Sequence, residues 1–101
     1  MRVIVFFDLP VDTVDDRREY ARFRKRLMQN GFIMMQESVY SKLALNLSVA
    51  DSIMELVRKN KPPKGLVQML VITEKQYARI EYVVGEKHTD IIETEERTVW
   101  L

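Results

Sequence analysis

The chain has 101 residues, 47% of them hydrophobic, with three glycines and three prolines, so it suits one domain around a single small core and is neither disordered nor low-complexity. Its formal net charge is +1, with no cysteine and one histidine, which excludes disulfides, thiolate metal sites and thiol catalysis and fits a reducing compartment. Met1 leads into an apolar strand with no signal peptide, and no apolar run is long enough to span a bilayer; the expectation is a cytoplasmic protein without membrane contact.

Residues 2–8, Arg-Val-Ile-Val-Phe-Phe-Asp, read as the first strand. The run does not alternate, as in a strand covered on both faces. Pro10 lacks a backbone donor and ends it, which leaves Asp8 at the strand's C-terminal edge. A loop over 9–15 leads to a helix from about Asp16 to Asn30, with acids at its start and Gly31 as its stop. Tyr20, Phe23 and Leu27 form the core stripe of that helix. Strands follow at about Phe32–Met35 and Ser38–Leu45, and in the latter Val39, Ser41, Leu43 and Leu45 share one face. Ser48 is the expected N-cap of a second helix, with Asp51 three residues on. That helix buries Val49, Ile53, Leu56 and Val57 and ends near Lys59-Asn60, before Pro62-Pro63. Leu66–Ile72 is the fourth strand, and Glu74–Ala78 a turn or short helix. Ile80-Glu81-Tyr82-Val83-Val84 is a further apolar segment, followed by Gly85, a polar stretch and Thr98-Val99-Trp100.

The order strand, helix, strand, strand, helix, strand predicts an α+β chain of the ferredoxin-like βαββαβ type. It is expected to be a single domain over residues 1–101, with residues from about 80 to 101 as a C-terminal extension carrying an extra strand segment. Right-handed crossovers place both helices on one face of the sheet. The first and fourth strands nevertheless offer apolar side chains on both faces: Val3, Val5 and Phe7 and, opposite them, Ile4 and Phe6, then Val67, Met69 and Val71 and, opposite them, Leu66, Leu70 and Ile72. A bare apolar face is a binding surface, and a twofold copy of the same chain is the simplest cover. The expectation is a face-to-face homodimer, with the extension free to lengthen a neighbour's sheet or to meet a partner.

An aspartate at a strand end often does no more than cap a turn. In a face-to-face dimer, however, Asp8 approaches its symmetry mate. Two close carboxylates repel, which favours a shared proton or a cation between them. Mg²⁺, or Mn²⁺ in its place, is held by one or two carboxylates and several waters, and can activate water against a phosphodiester.

The small net charge hides a separation. Residues 17–26 hold six Arg or Lys against one Glu, whereas residues 90–97 are mostly acidic. Arg18, Arg22 and Lys25 share the helix face opposite the core stripe, with Arg17 and Arg26 at its margins. Arg17 and Arg24 also flank the stripe. A solvated face explains this pattern, and so does a surface for phosphates that reads no sequence. Asp90, Glu93, Glu95 and Glu96 repel a nucleic-acid backbone, so with Trp100 they are expected to face a protein partner; Trp100 either packs on its own sheet or anchors that partner. His88 reads as an exposed loop histidine. Asp12, Asp15 and Asp16 assist a metal or cap the helix, and Lys59, Lys61 and Lys64 form a solvated loop or a secondary phosphate contact.

The strand-ending Val-Ile-Val-Phe-Phe-Asp8-Leu-Pro, the helix with Arg17-Arg18 and Tyr20-x-x-Phe23-Arg24-Lys25-x-Leu27, then Asn30-Gly31-Phe32 and Gln36-x-Ser38-Val39-Tyr40 resemble CRISPR-associated protein two. This is the small subunit of the spacer-acquisition complex of an antiviral defence system. The Phe-Phe-Asp-Leu-Pro and Met-Met-Gln-Glu-Ser-Val-Tyr forms are similar to members from systems with a single large DNA-cleaving effector (type II). The resemblance covers essentially the whole chain. It implies a ferredoxin-like homodimer, with Asp8 as the catalytic and Mg²⁺-binding carboxylate contributed by both subunits. It implies metal-dependent endonuclease activity on single-stranded RNA or double-stranded DNA. It also implies a scaffold: a dimer of this chain between two dimers of the integrase subunit, holding a spacer duplex along its surface. Arg17, Arg18, Arg22, Lys25 and Arg26 fall where the family is basic. Tyr40 stands where many relatives have Phe.

Two function classes stay open on the sequence. One is a duplex-DNA-binding scaffold for spacer integration, with Asp8 structural; the other is a working metal-dependent nuclease. A regulatory ferredoxin-like dimer for a small ligand is disfavoured by the basic helix and the lack of a Gly-rich ligand loop.

Overall fold

The structure is a computed structural model and describes residues 1–86. Seven elements follow one another: β1 (Arg2–Asp8), α1 (Val14–Gln29), β2 (Ile33–Gln36), β3 (Val39–Leu43), α2 (Leu47–Lys59), β4 (Leu66–Ile72) and the short α3 (Glu74–Tyr77). The four strands form one sheet in the order β2-β3-β1-β4. Every neighbouring pair is antiparallel, as the ferredoxin-like βαββαβ order requires.

Alternation along β1 sorts its side chains between two faces. Val3, Val5 and Phe7 join a core with Phe23 and Leu27 of α1 and Ala50, Ile53 and Val57 of α2. Both helices therefore cover the same face. Tyr40 lies opposite Val5 in the β1–β3 ladder and is fully buried on that side. The ring of Phe7 meets Phe23 edge-on at 5.1 Å, Tyr20 edge-on at 5.9 Å, and stacks on Tyr40 at 5.7 Å. Such pairs each add about 0.5–1.5 kcal/mol beyond the area they bury.

The other face carries Arg2, Ile4, Phe6 and Asp8 of β1. Across the ladders it carries Val39, Ser41 and Leu43 of β3 and Leu66, Gln68, Leu70 and Ile72 of β4. Neither α1 nor α2 covers it; α3 lies against its Arg2 end, and Ile4 and Ser41 in its middle are buried. Leu43, Leu66 and Leu70 are each about half exposed, at 56%, 53% and 50%. At the Arg2 end, the guanidinium bonds Glu74 at 3.0 Å and lies 4.1 Å over the Tyr77 ring, which ties α3 down.

Several local expectations are corrected. The N-cap of α1 is Thr13, so the helix starts at Val14 rather than Asp16. The Thr13 hydroxyl accepts from Asp16 N at 3.0 Å, and Asp16 Oδ2 accepts from Thr13 N at 3.2 Å. The N-cap of α2 is Asn46, whose side chain accepts from Val49 N at 2.9 Å. Ser48 sits inside the first turn, and the buried set becomes Ala50, Ile53 and Val57, with Val49 exposed. Both residues are of capping type; the docking of Ala50 against the sheet selects between them. The third strand stops at Leu43, so Leu45 leaves its face and is 88% exposed. Residues 80–86 form no strand, since an extended segment becomes one only when it pairs with an edge. Residues 87–101 lie outside the described residues.

Gly65, just before β4, has φ +99°. A Cβ there would stand 2.7 Å from Leu9 Cδ2 and 2.9 Å from the Asp8 carbonyl oxygen. The chain enters β4 in contact with the end of β1, and only a residue without a side chain fits. Gly65→Ala should destabilise the fold by about 1–3 kcal/mol, read as a lower urea midpoint at unchanged slope; a wild-type midpoint would show that this approach is loose.

Candidate metal and nucleic-acid site

Asp8 is the last residue of β1, is exposed, and pairs in register with Leu66, the first residue of β4. Alternation places Phe7 in the aromatic core and Asp8 on the helix-free face. Phe7 N donates to Ser38 O at 3.0 Å, and Leu9, the next residue, is buried. The carboxylate thus projects from a backbone held on both sides. Among the described residues there is no group of three or more His, Cys, Asp or Glu that could hold a metal ion. One chain supplies one carboxylate. That is half of the one-or-two-carboxylate set, completed by water, that Mg²⁺ accepts, and a second copy across the face is needed for the other half.

Asp12 is exposed, and the other two neighbouring acids are engaged elsewhere. Asp16 is 6% exposed and pairs with Lys64 Nζ at 3.1 Å through Oδ1, while Oδ2 takes the Thr13 amide. Lys64 is a solvated loop lysine, 66% exposed, that also serves as an ion-pair partner. The hydrogen bond from Lys64 lowers the Asp16 pKa below the ordinary carboxylate value of 3.8, the Thr13 bonds add to this, and burial opposes it. Asp15 pairs with Arg18.

The basic helix is less one-signed than its composition. Arg18 bonds Asp15 at 3.0 Å and Arg22 bonds Glu19 at 3.2 Å, each pair three residues apart. Arg17 donates to Val11 O at 3.1 Å and Arg26 to Asn60 Oδ1 at 2.8 Å. Lys25 is exposed. All five stand on one exposed side of α1, and exposed i,i+3 pairs are weak enough to exchange for phosphates. Arg24 behaves differently: it donates to the Tyr40 hydroxyl at 2.9 Å, and that bond raises its already high pKa. It anchors α1 to β3. The sequence carries no signal for this bond or for the Asp16–Lys64 pair, because each joins segments that only the fold brings together.

Asp90, Glu93, Glu95, Glu96 and Trp100, expected to dock a partner, and His88 lie outside the described residues. Among the described residues no helix is long and apolar enough to cross a membrane.

Residues 1–80 match the family described as CRISPR associated protein Cas2. A relative in Treponema denticola, named CRISPR-associated endoribonuclease Cas2, is 58% identical over 101 residues, covering 100% of both chains. One of the same name in Streptococcus mutans is 46% identical over 101 residues, covering 100% of this chain and 93% of its own. The crystal structure of Streptococcus pyogenes Cas2 at pH 6.5 superposes with a TM-score of 0.61 at 20% identity, covering 84% of this chain and 100% of that one. At that identity it supports the fold.

The lowered pKa of Asp16 sets a direction for acid sensitivity. A carboxylate with a depressed folded-state pKa stabilises the fold above its unfolded value, and that contribution is lost as pH falls through the folded value. Wild type should therefore exceed Asp16→Asn in urea midpoint at about pH 6, and the gap should close as pH falls below about 4. A gap that does not change with pH would show that the Asp16 charge contributes nothing to stability.

Proposed function

The chain belongs to the CRISPR associated protein Cas2 family, and from that membership we propose that it is a dimeric, duplex-DNA-binding scaffold for the integrase subunit during acquisition of new spacers. The observation that carries this reading is the helix-free face of the sheet. It is mainly apolar, buried at Ile4 and Ser41 but half exposed at Leu43, Leu66 and Leu70, and ends in Asp8. A second copy packed there would bury the apolar residues and bring two Asp8 carboxylates towards one axis. Because α1 and α2 cover the opposite face of the sheet, it would leave the exposed side of α1 on the two outer surfaces of the dimer, where each copy is free to meet the phosphates of a duplex. The wider assembly is then one dimer of this chain between two integrase dimers, placed in the cytoplasm.

A second reading is favoured by the relatives' names and by the exposure of Asp8: metal-dependent phosphodiester cleavage, with RNA as the first substrate to test. The two Asp8 carboxylates would hold Mg²⁺ or Mn²⁺. When bound, such an ion supplies charge stabilisation at the phosphodiester and a more acidic water. The chain's own part is to hold the carboxylates on a rigid strand end and, through α1, to bind the phosphates on either side.

Two measurements test these readings. Purified wild-type dimer should cleave single-stranded RNA in Mn²⁺, and Asp8→Ala should lower that rate at least about a hundredfold while sedimenting as the same dimer. Equal rates would assign the activity elsewhere, and a folded wild-type monomer at micromolar concentration would overturn the dimer. For DNA, Arg18→Ala with Arg22→Ala removes two charges from each α1 surface. The slope of log affinity against log salt for a duplex on one such surface should then fall by roughly two, equally on two unrelated duplexes. An unchanged slope would place the DNA elsewhere.

A further inference from the structure

We propose that Lys64 and Asp16 are positioning residues for Asp8: their ion pair ties together the two loops that flank the strand end and so fixes the direction of the Asp8 carboxylate. This rests on the reading of Asp8 as the metal-holding group.

Asp8 stands where two segments meet. The chain leaves β1 through Leu9–Thr13 and enters β4 through Lys61–Gly65. Gly65 lies against the Asp8 carbonyl and Leu9, so close that an added Cβ would stand 2.9 Å from that oxygen. Lys64, its neighbour, reaches Asp16 at 3.1 Å. Asp16 in turn bonds the Thr13 amide at 3.2 Å, and the Thr13 hydroxyl accepts from the Asp16 amide at 3.0 Å. The links form a closed circuit: Asp8, Leu9 to Thr13, Asp16, Lys64, Gly65 and back to Asp8. Both Asp16 oxygens are used within it, so Asp16 is not itself a free metal ligand.

Asp16 and Lys64 share a small recess with Leu9, Pro10, Glu19, Pro62 and Pro63. Asp16 is buried there while Lys64 is 66% exposed, so the carboxylate bears the desolvation cost and the lysine offsets it from the solvent side. The pair joins the two loops at one point across the recess. Three prolines nearby already restrict the backbone, and the pair removes the remaining hinge freedom. Removing a group bonded directly to a metal-holding carboxylate costs about ten- to a hundredfold in affinity; Lys64 and Asp16 act on Asp8 through the backbone, so the lower end of that range applies.

The test uses the full-length dimer and three variants. Lys64→Met removes the pair and leaves the Thr13–Asp16 cap. Asp16→Asn with Lys64→Met removes it without leaving a buried charge, and serves if the single variant does not fold. Lys64→Arg keeps it. Mn²⁺ affinity is read by calorimetry, and amide hydrogen exchange is read at residues 9 and 11–13, with residues 67–71 of β4 as reference. The expected result is about a tenfold loss of Mn²⁺ affinity and faster exchange at the loop in the Met variants, an unchanged reference, and near-wild-type values for Lys64→Arg. Wild-type Mn²⁺ affinity in the Met variants would overturn the proposal, whatever the exchange shows. So would an equal loss in Lys64→Arg. If the wild-type dimer binds no Mn²⁺, the reading of Asp8 fails separately; the tie is then upheld by faster loop exchange in the Met variants and overturned by unchanged exchange.

Discussion

A sheet with apolar residues on both faces must cover both, and two helices can cover only one. Everything else in this chain follows from that imbalance. Val3, Val5 and Phe7 meet α1 and α2, while Ile4, Phe6, Leu66 and Leu70 face away from them. A small domain already buries a modest fraction of its surface, so a half-exposed apolar face on its central and edge strands is a cost that a second copy would remove. The proposed function is a consequence of where that face ends.

The face ends at Asp8 because of the period of a strand. Phe7 is drawn inward by Phe23, Tyr20 and Tyr40. Its neighbour must then point outward, and a slip of one residue would bury the carboxylate in the aromatic cluster. The aromatic packing thus works as the register pin for the site. Leu9, buried beneath Gly65, holds the other side. A functional carboxylate on a rigid strand end, gripped before and after, is better oriented than one on a free loop.

The basic helix illustrates a limit of composition. Six Arg or Lys within ten residues suggest a uniform positive surface, yet Arg18 and Arg22 have carboxylate neighbours three residues back and Arg24 is spent on Tyr40. Charge that is paired on the helix would reach a phosphate only by exchanging partners, so under the proposed function the affinity there is a difference between two similar pairings. This favours contacts that form and release readily and read no sequence.

The sequence by itself determined the order of the elements, the fold class, the second apolar face and the position of Asp8 at its end. These rest on hydrophobic periodicity and on Pro10 and Gly31 as stops, all of which act within a few residues. It also carried the family resemblance through Phe7-Asp8-Leu9-Pro10 and the helix that follows. Only the tertiary structure decided that Asn46 rather than Ser48 caps the second helix, and that Asp16, which closes a local capping box with Thr13, is also bound to Lys64 rather than left for a metal. Asp16 and Lys64 lie 48 positions apart in sequence. Local pattern cannot pair them, because the meeting of their loops follows from β1 and β4 lying side by side in the sheet, and strand pairing is a property of the whole chain.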